Sequence, residues 1–119
     1  MKTIFVVDDS DINLAMAEET LEDYFRIMTI PSADKMFLLL EKLTPDLILL
    51  DIEMPIMNGF EALKILKTNN SWSGIPVIFL TGTVNASIHE QGSALGAVGV
   101  ISKPFSPSVL LEYVRNYLS

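Results

Sequence analysis

The sequence predicts an α/β fold, a five-stranded parallel sheet doubly wound as (βα)5. Three observations carry that prediction. Five short apolar runs alternate with amphipathic stretches along the 119 residues. Most of the runs are apolar on both parities, the pattern of strands covered on both faces. No linker or low-complexity segment interrupts the alternation, so residues 1–119 read as a single domain. Right-handed crossovers then place helices on both faces of the sheet.

The first strand runs from Thr3 to Asp8, and Leu14, Ala17, Leu21 and Phe25 follow at helical spacing. Arg26 to Ile30 is the second strand, with Met36, Leu40 and Leu43 marking the second helix. Asp46 to Asp51 is the third, followed by the stripe of Phe60, Leu63 and Leu66/Lys67. Pro76 to Thr81 is the fourth. The helix after it, Ala86 to Leu95, is expected to be short and marginal, because Gly92 interrupts it and only Ile88 and Leu95 form its stripe. Val98 to Ser102 is the fifth strand. Ser106-Pro107 then reads as an N-cap with proline at the first helical position, opening a helix built on Leu110, Val114 and Tyr117.

Composition narrows the function classes. Half the residues are hydrophobic and 19% are charged, which is too apolar for a disordered chain. Runs such as Leu47 to Leu50 are too short to span a bilayer, and Asp8 and Asp9 end the opening apolar run before a signal peptide could form. A soluble, cytoplasmic protein is expected, with no membrane partner. The absence of cysteine excludes disulfides, thiolate zinc sites and thiol nucleophiles. Net charge is −7, and up to Asp23 seven acids face only Lys2. Such a segment repels nucleic acid, so direct binding to it is not expected.

In a doubly wound sheet, ligands bind outside the carboxyl ends of the strands. Those ends carry Asp8 and Asp9, Asp51, Thr81 and Lys103. Taken singly, each has a purely structural reading: the aspartates as turn or N-cap residues, Thr81 as a cap, Lys103 as a solvated lysine. Together they crowd one crevice. Carboxylates that close raise each other's pKa unless a cation lies among them. An all-oxygen donor set favours a hard ion, most naturally Mg²⁺. A carboxylate beside Mg²⁺ can attack phosphorus to form an acyl phosphate, with Lys103 and the Thr81 hydroxyl contacting oxygens of the transferred group. His89 stands alone on the weak helix and reads as a solvated surface histidine.

These residues resemble the receiver domain of two-component response regulators, of the chemotaxis-regulator kind, from Ile4 to about Leu118. Val7-Asp8-Asp9-Ser10 matches the family's acidic pair, and Leu50 to Gly59 its phosphoacceptor loop. Leu80-Thr81-Gly82 and Ser102-Lys103-Pro104-Phe105 match its hydroxyl and lysine motifs. The resemblance implies the flavodoxin-like strand order 2-1-3-4-5. It implies Asp51 as the phosphorylated residue, with Asp9, Asp51 and the Glu53 backbone carbonyl as Mg²⁺ ligands and Asp8 acting mostly through water. It further implies that Thr81 and Lys103 contact the phosphoryl group and that Pro104 follows a cis peptide. The expected donor is a sensor histidine kinase, a phosphotransfer protein or a small phosphodonor. Catalysis would be limited to the domain's own phosphorylation and dephosphorylation. The face of the fourth helix, fifth strand and fifth helix would then change for a downstream protein or a C-terminal output domain. Low stability in the fourth helix suits a mobile element.

Val100 departs from the pattern, since the family usually has Tyr or Phe three residues before the lysine, an aromatic that moves inward on activation. Glu53 and Thr83 occupy positions that vary in the family and set the rate of dephosphorylation. An alternative reading is a protein–protein interaction module on the same fold, independent of phosphorylation. A phosphatase of the haloacid dehalogenase type wants a second Asp two residues after its nucleophile, where Glu53 stands. A flavin module needs a hydroxyl- and glycine-rich loop after the first strand, where Asp8-Asp9-Ser10-Asp11 would repel phosphate.

Overall fold

A computed structural model describes residues 1–83 and 85–118. The chain alternates β1 (Thr3–Val7), α1 (Asp11–Leu21), β2 (Arg26–Ile30), α2 (Ala33–Leu40), β3 (Leu47–Asp51), α3 (Gly59–Thr68), β4 (Val77–Thr81), α4 (Ala86–Ala94), β5 (Gly99–Ser102) and α5 (Pro107–Leu118). All strand pairs are parallel, in the order β2-β1-β3-β4-β5. This is the doubly wound fold and strand order expected from the sequence.

Period-two alternation in the strands feeds two cores. Phe5, Val7, Ile48, Leu50, Val77 and Phe79 pack against the buried stripes of α2 and α3. Their neighbours Ile4, Val6, Leu47, Leu49, Ile78 and Leu80 pack against α1 and α5, with Phe105 beside them. The central strands β1, β3 and β4 are buried along their whole length, which is why their sequences show no polar alternation.

Helix starts follow local chemistry. Ser10, Ser32, Asn58 and Asn85 cap α1 to α4, each accepting from a backbone N–H in the first turn. Glu61 completes a reciprocal capping box with Asn58. Ser106 Oγ accepts from Val109 N at 3.2 Å, as the Ser-Pro pair predicts.

Several helices end sooner than the apolar spacing suggests. Phe25 and Leu43 lie beyond the ends of α1 and α2, in turns closed by N–H donation from Phe25 to Leu21 and from Leu43 to Leu39. Phe25 is nevertheless buried, so it fills the core from a turn. Tyr117 is exposed on α5, whose buried residues are Leu110 and Val114. The fourth helix is short, as expected, and Gly92 is its buried residue.

Candidate functional site

Parallel register turns separated motifs into neighbours. Val7 pairs with Leu50, Asp51 with Leu80, and Thr81 with Ser102. Asp8, Asp51, Thr81 and Lys103 therefore emerge side by side at the carboxyl edge of the sheet. The cap of α1 is Ser10, so neither Asp8 nor Asp9 serves as one.

Asp8 is fully buried. Its Oδ1 accepts from Ser10 N at 2.9 Å, and its Oδ2 from Asn13 Nδ2 and Lys103 Nζ, each at 3.3 Å. Asp9 is exposed at the rim. Asp51 is also fully buried; its Oδ1 accepts from Lys103 Nζ at 2.9 Å and from Glu53 N at 3.2 Å. Its Oδ2 is buried without a hydrogen-bond partner among the described residues. Carboxylate oxygens of Asp8, Asp9 and Asp51 all lie within 4.8 Å of one another.

One lysine thus pairs with two of these three acids. Burial pushes the Asp51 carboxyl up from 3.8 to about 7; the Lys103 hydrogen bond opposes that, and the Asp8 charge adds to it. Lys103 is itself raised: desolvation works against its charge, but the hydrogen bond and charge of Asp51 outweigh it, with Asp8 adding. The site has the donors of a hard-cation centre. Its oxygens converge, its negative charge exceeds what Lys103 neutralises, and a buried acceptor stands unsatisfied.

The loop after β3 is shaped by its backbone. Gly59 N donates to Ile52 O at 2.9 Å, and a Cβ at Gly59 would sit 2.5 Å from the Asp51 carbonyl oxygen. Ile56 adopts φ 71° and is almost fully exposed. The Lys103–Pro104 peptide is cis, as expected. Val100 lies half-buried beside Phe79 and packs on the α2/α3 core. Thr83 is exposed, and its N–H donates to Thr81 Oγ1. His89 is exposed.

Two contacts at the site have no signal in the apolar patterning of the sequence. Asn13 holds Asp8 from the first turn of α1, a role that its five-residue offset could have flagged. The Glu53 side chain, at a position the resemblance ties to dephosphorylation rate, accepts a hydrogen bond from the Thr81 hydroxyl. No periodicity or motif signals that contact.

Fold and site together define a doubly wound α/β protein with a carboxylate cluster and a lysine at the sheet's carboxyl edge. The family model of the response regulator receiver domain matches residues 4–115, and the chain belongs to that family. Phosphorylation-dependent signalling is the function that membership implies. The chain is 30% identical to the chemotaxis protein CheY4 of Vibrio cholerae, whose structure superposes with a TM-score of 0.92 over 98% of both chains. It is 32% identical over 119 residues to the polar-differentiation response regulator DivK of Brucella anthropi, covering 98% of this chain and 96% of that one. It is 40% identical over 116 residues to a probable cyclic di-GMP phosphodiesterase of Vibrio cholerae serotype O1, covering 98% of this chain but 26% of that protein. The chain spans between 14% and 55% of the length of this and several other relatives it matches. Among the described residues, no helix is long and apolar enough to cross a membrane.

Proposed function

We propose that residues 1–119 form one receiver domain acting as a cytoplasmic signalling switch, phosphorylated on Asp51. The observation that carries this reading is the unpartnered Oδ2 of Asp51, buried inside the acidic cluster while Lys103 holds Oδ1. An acceptor in that state is ready for a cation or an electrophile. Asp9, Asp51 and the Glu53 carbonyl are the ligands proposed for Mg²⁺. Both oxygens of Asp8 already have donors, which fits a role through water. When bound, Mg²⁺ supplies positive charge against the phosphoryl oxygens.

An Asp51 carboxylate oxygen attacks phosphorus. The new O–P bond forms as the N–P bond of a phosphohistidine, or the O–P bond of a small acyl phosphate, breaks. The leaving group departs with the bonding electron pair. Lys103 steadies the carboxylate beforehand and pairs with a phosphoryl oxygen afterwards. The Thr81 hydroxyl donates to another. Hydrolysis reverses the bond: water adds to phosphorus, the Asp51 carboxylate leaves, and the proton of water passes to phosphate or solvent. The chain catalyses these steps on itself alone, so it is a phosphoacceptor switch and not an enzyme acting on other substrates.

The partners proposed are a histidine kinase or phosphotransfer protein upstream and a protein or attached output domain downstream, with no nucleic acid contacted by this domain. The face built from α4, β5 and α5 is where the change is read. Its components fit that use: Gly92 is the buried residue of α4, and Tyr113 of α5 lies against Gly99. With Val100 at the usual aromatic position, the readout does not depend on an aromatic swinging from β5.

The test is intact mass after incubation with acetyl phosphate and Mg²⁺. A single phosphoryl adduct that needs the cation and is absent from Asp51→Asn is expected. A folded wild-type protein that takes no adduct from acetyl phosphate and no beryllofluoride would overturn the reading in favour of an interaction module independent of phosphorylation.

A further inference from the structure

The Thr81 hydroxyl is already committed before any phosphoryl group arrives. It donates to Glu53 Oε1 at 2.5 Å, while the same oxygen accepts from Thr83 N at 3.1 Å. A hydroxyl has one proton, and the other available acceptor, the Thr83 carbonyl, lies farther off at 3.3 Å. The short, charge-assisted partner takes it. Thr81 is fully buried and Glu53 is exposed, so the bond runs from the floor of the site to its rim. It also ties the loop after β3 to the last residue of β4, whose oxygen in turn holds the Thr83 amide.

We infer that Glu53 is a resting-state latch, holding the Thr81 hydroxyl until an oxyanion on Asp51 takes it over. The inference rests on the phosphoacceptor reading above and adds a regulatory contact to it. Two acceptors compete for one proton: the Glu53 carboxylate in the resting state and a phosphoryl oxygen in the modified one. Release needs only rotation of the Thr81 side chain, which parts Thr81 from the loop after β3 and takes its oxygen from the Thr83 amide at the same moment. Such a contact has two discrete states, so a small change at Asp51 becomes a change in the segment leading to α4. Glu53 therefore opposes phosphorylation and favours return to rest, a role distinct from that of its carbonyl.

The experiment is a beryllofluoride titration in saturating Mg²⁺, followed by NMR, alongside the rate of labelling by acetyl phosphate. Glu53→Ala is combined with Thr81 intact, with Thr81→Ser, which keeps the hydroxyl, and with Thr81→Ala, which removes it. Loss of one net hydrogen bond to a partly solvated carboxylate should tighten apparent beryllofluoride affinity about three- to tenfold. That gain should appear with Thr or Ser at position 81 and vanish in Thr81→Ala. In the resting protein a slowly exchanging, downfield hydroxyl proton of Thr81 should be visible and should be lost in Glu53→Ala.

Three results bear against it. An unchanged or weakened affinity in Glu53→Ala overturns the latch. So does a gain that persists undiminished in Thr81→Ala, since that would be charge repulsion acting without the hydroxyl. A wild-type protein that accepts neither reagent overturns the phosphoacceptor reading and the latch with it, and is thereby told apart from failure of the latch alone.

Discussion

Replacing Asp51 by Asn removes an ionisation that the folded protein opposes, so its effect on stability should depend on pH. The carboxyl is fully buried, and that burial is the main reason its pKa rises from 3.8 to about 7. An acid whose pKa is higher in the native state than in the unfolded one holds its proton more tightly when folded. Its contribution to stability is complete below about pH 3.8 and is lost as pH rises through about 7. At about 1.4 kcal/mol for every tenfold in acidity, the whole interval is worth about 4 kcal/mol, of which roughly 2–3 kcal/mol falls between about pH 5 and pH 8. The amide keeps the shape of the side chain and never ionises. Urea unfolding of wild type and Asp51→Asn in chelator should therefore show the variant's advantage widening by about 2–3 kcal/mol across that window. Mg²⁺ that is held by the native cluster and not by the unfolded chain would, at about a hundred times its dissociation constant, return about 2.7 kcal/mol to the wild type. A stability difference that stays flat from about pH 5 to pH 8 would refute the argument, since Asp51 would then ionise as readily folded as unfolded.

Two other substitutions probe the same architecture. Lys103→Met strips the cation from between Asp8 and Asp51, contacts of 3.3 and 2.9 Å, and should cost about 2–4 kcal/mol near pH 8. The loss should be smaller at pH 5, where Asp51 takes up a proton, and adding Asp51→Asn should recover much of it; equal losses at both pH values in urea unfolding would contradict this. Gly59→Ala places a Cβ 2.5 Å from the Asp51 carbonyl oxygen and 2.9 Å from Ile52 Cα, both backbone atoms with no side-chain freedom to yield. It should lower stability by about 2–3 kcal/mol and weaken beryllofluoride binding by displacing Asp51, whereas an unaltered melting temperature would show that the loop shifts without cost.

The grouping of the site residues was legible in the sequence because they sit at strand ends, and a parallel sheet converts that position into proximity. Asp8 and Asp51 are 43 residues apart, yet Val7 and Leu50 pair directly, and the same logic carries Thr81 and Lys103 to the same edge. What stayed hidden depends on side-chain direction within loops, where no period applies. The Glu53–Thr81 bond is one case, and the hold of Asn13 on Asp8 is another. The stacking of Trp72 on Phe37, with ring centroids 5.7 Å apart, joins the turn after α3 to α2. Phe25 and Leu43 misled the helix ends for a related reason. Burial continues past the last helical turn, and apolar spacing records burial rather than hydrogen bonding.

Gly92 has a second role that propensity does not record. Propensity marks it as a weak point, since glycine in a helix costs about 1 kcal/mol relative to alanine. In the fold it is the buried residue of α4, and a Cβ there would lie 3.2 Å from the Phe79 ring. That ring is already held edge-on by Phe60 at 5.2 Å, so it has little room to retreat. Missing bulk at Gly92 lets α4 settle onto β4 without a wide apolar stripe. A helix attached in this way is in contact with the sheet through few large side chains, and little apolar burial opposes its displacement. The feature that lowers its predicted helicity is thus also what lets it dock, and its cap at Asn85 stands two residues beyond the Thr83 amide that donates to Thr81.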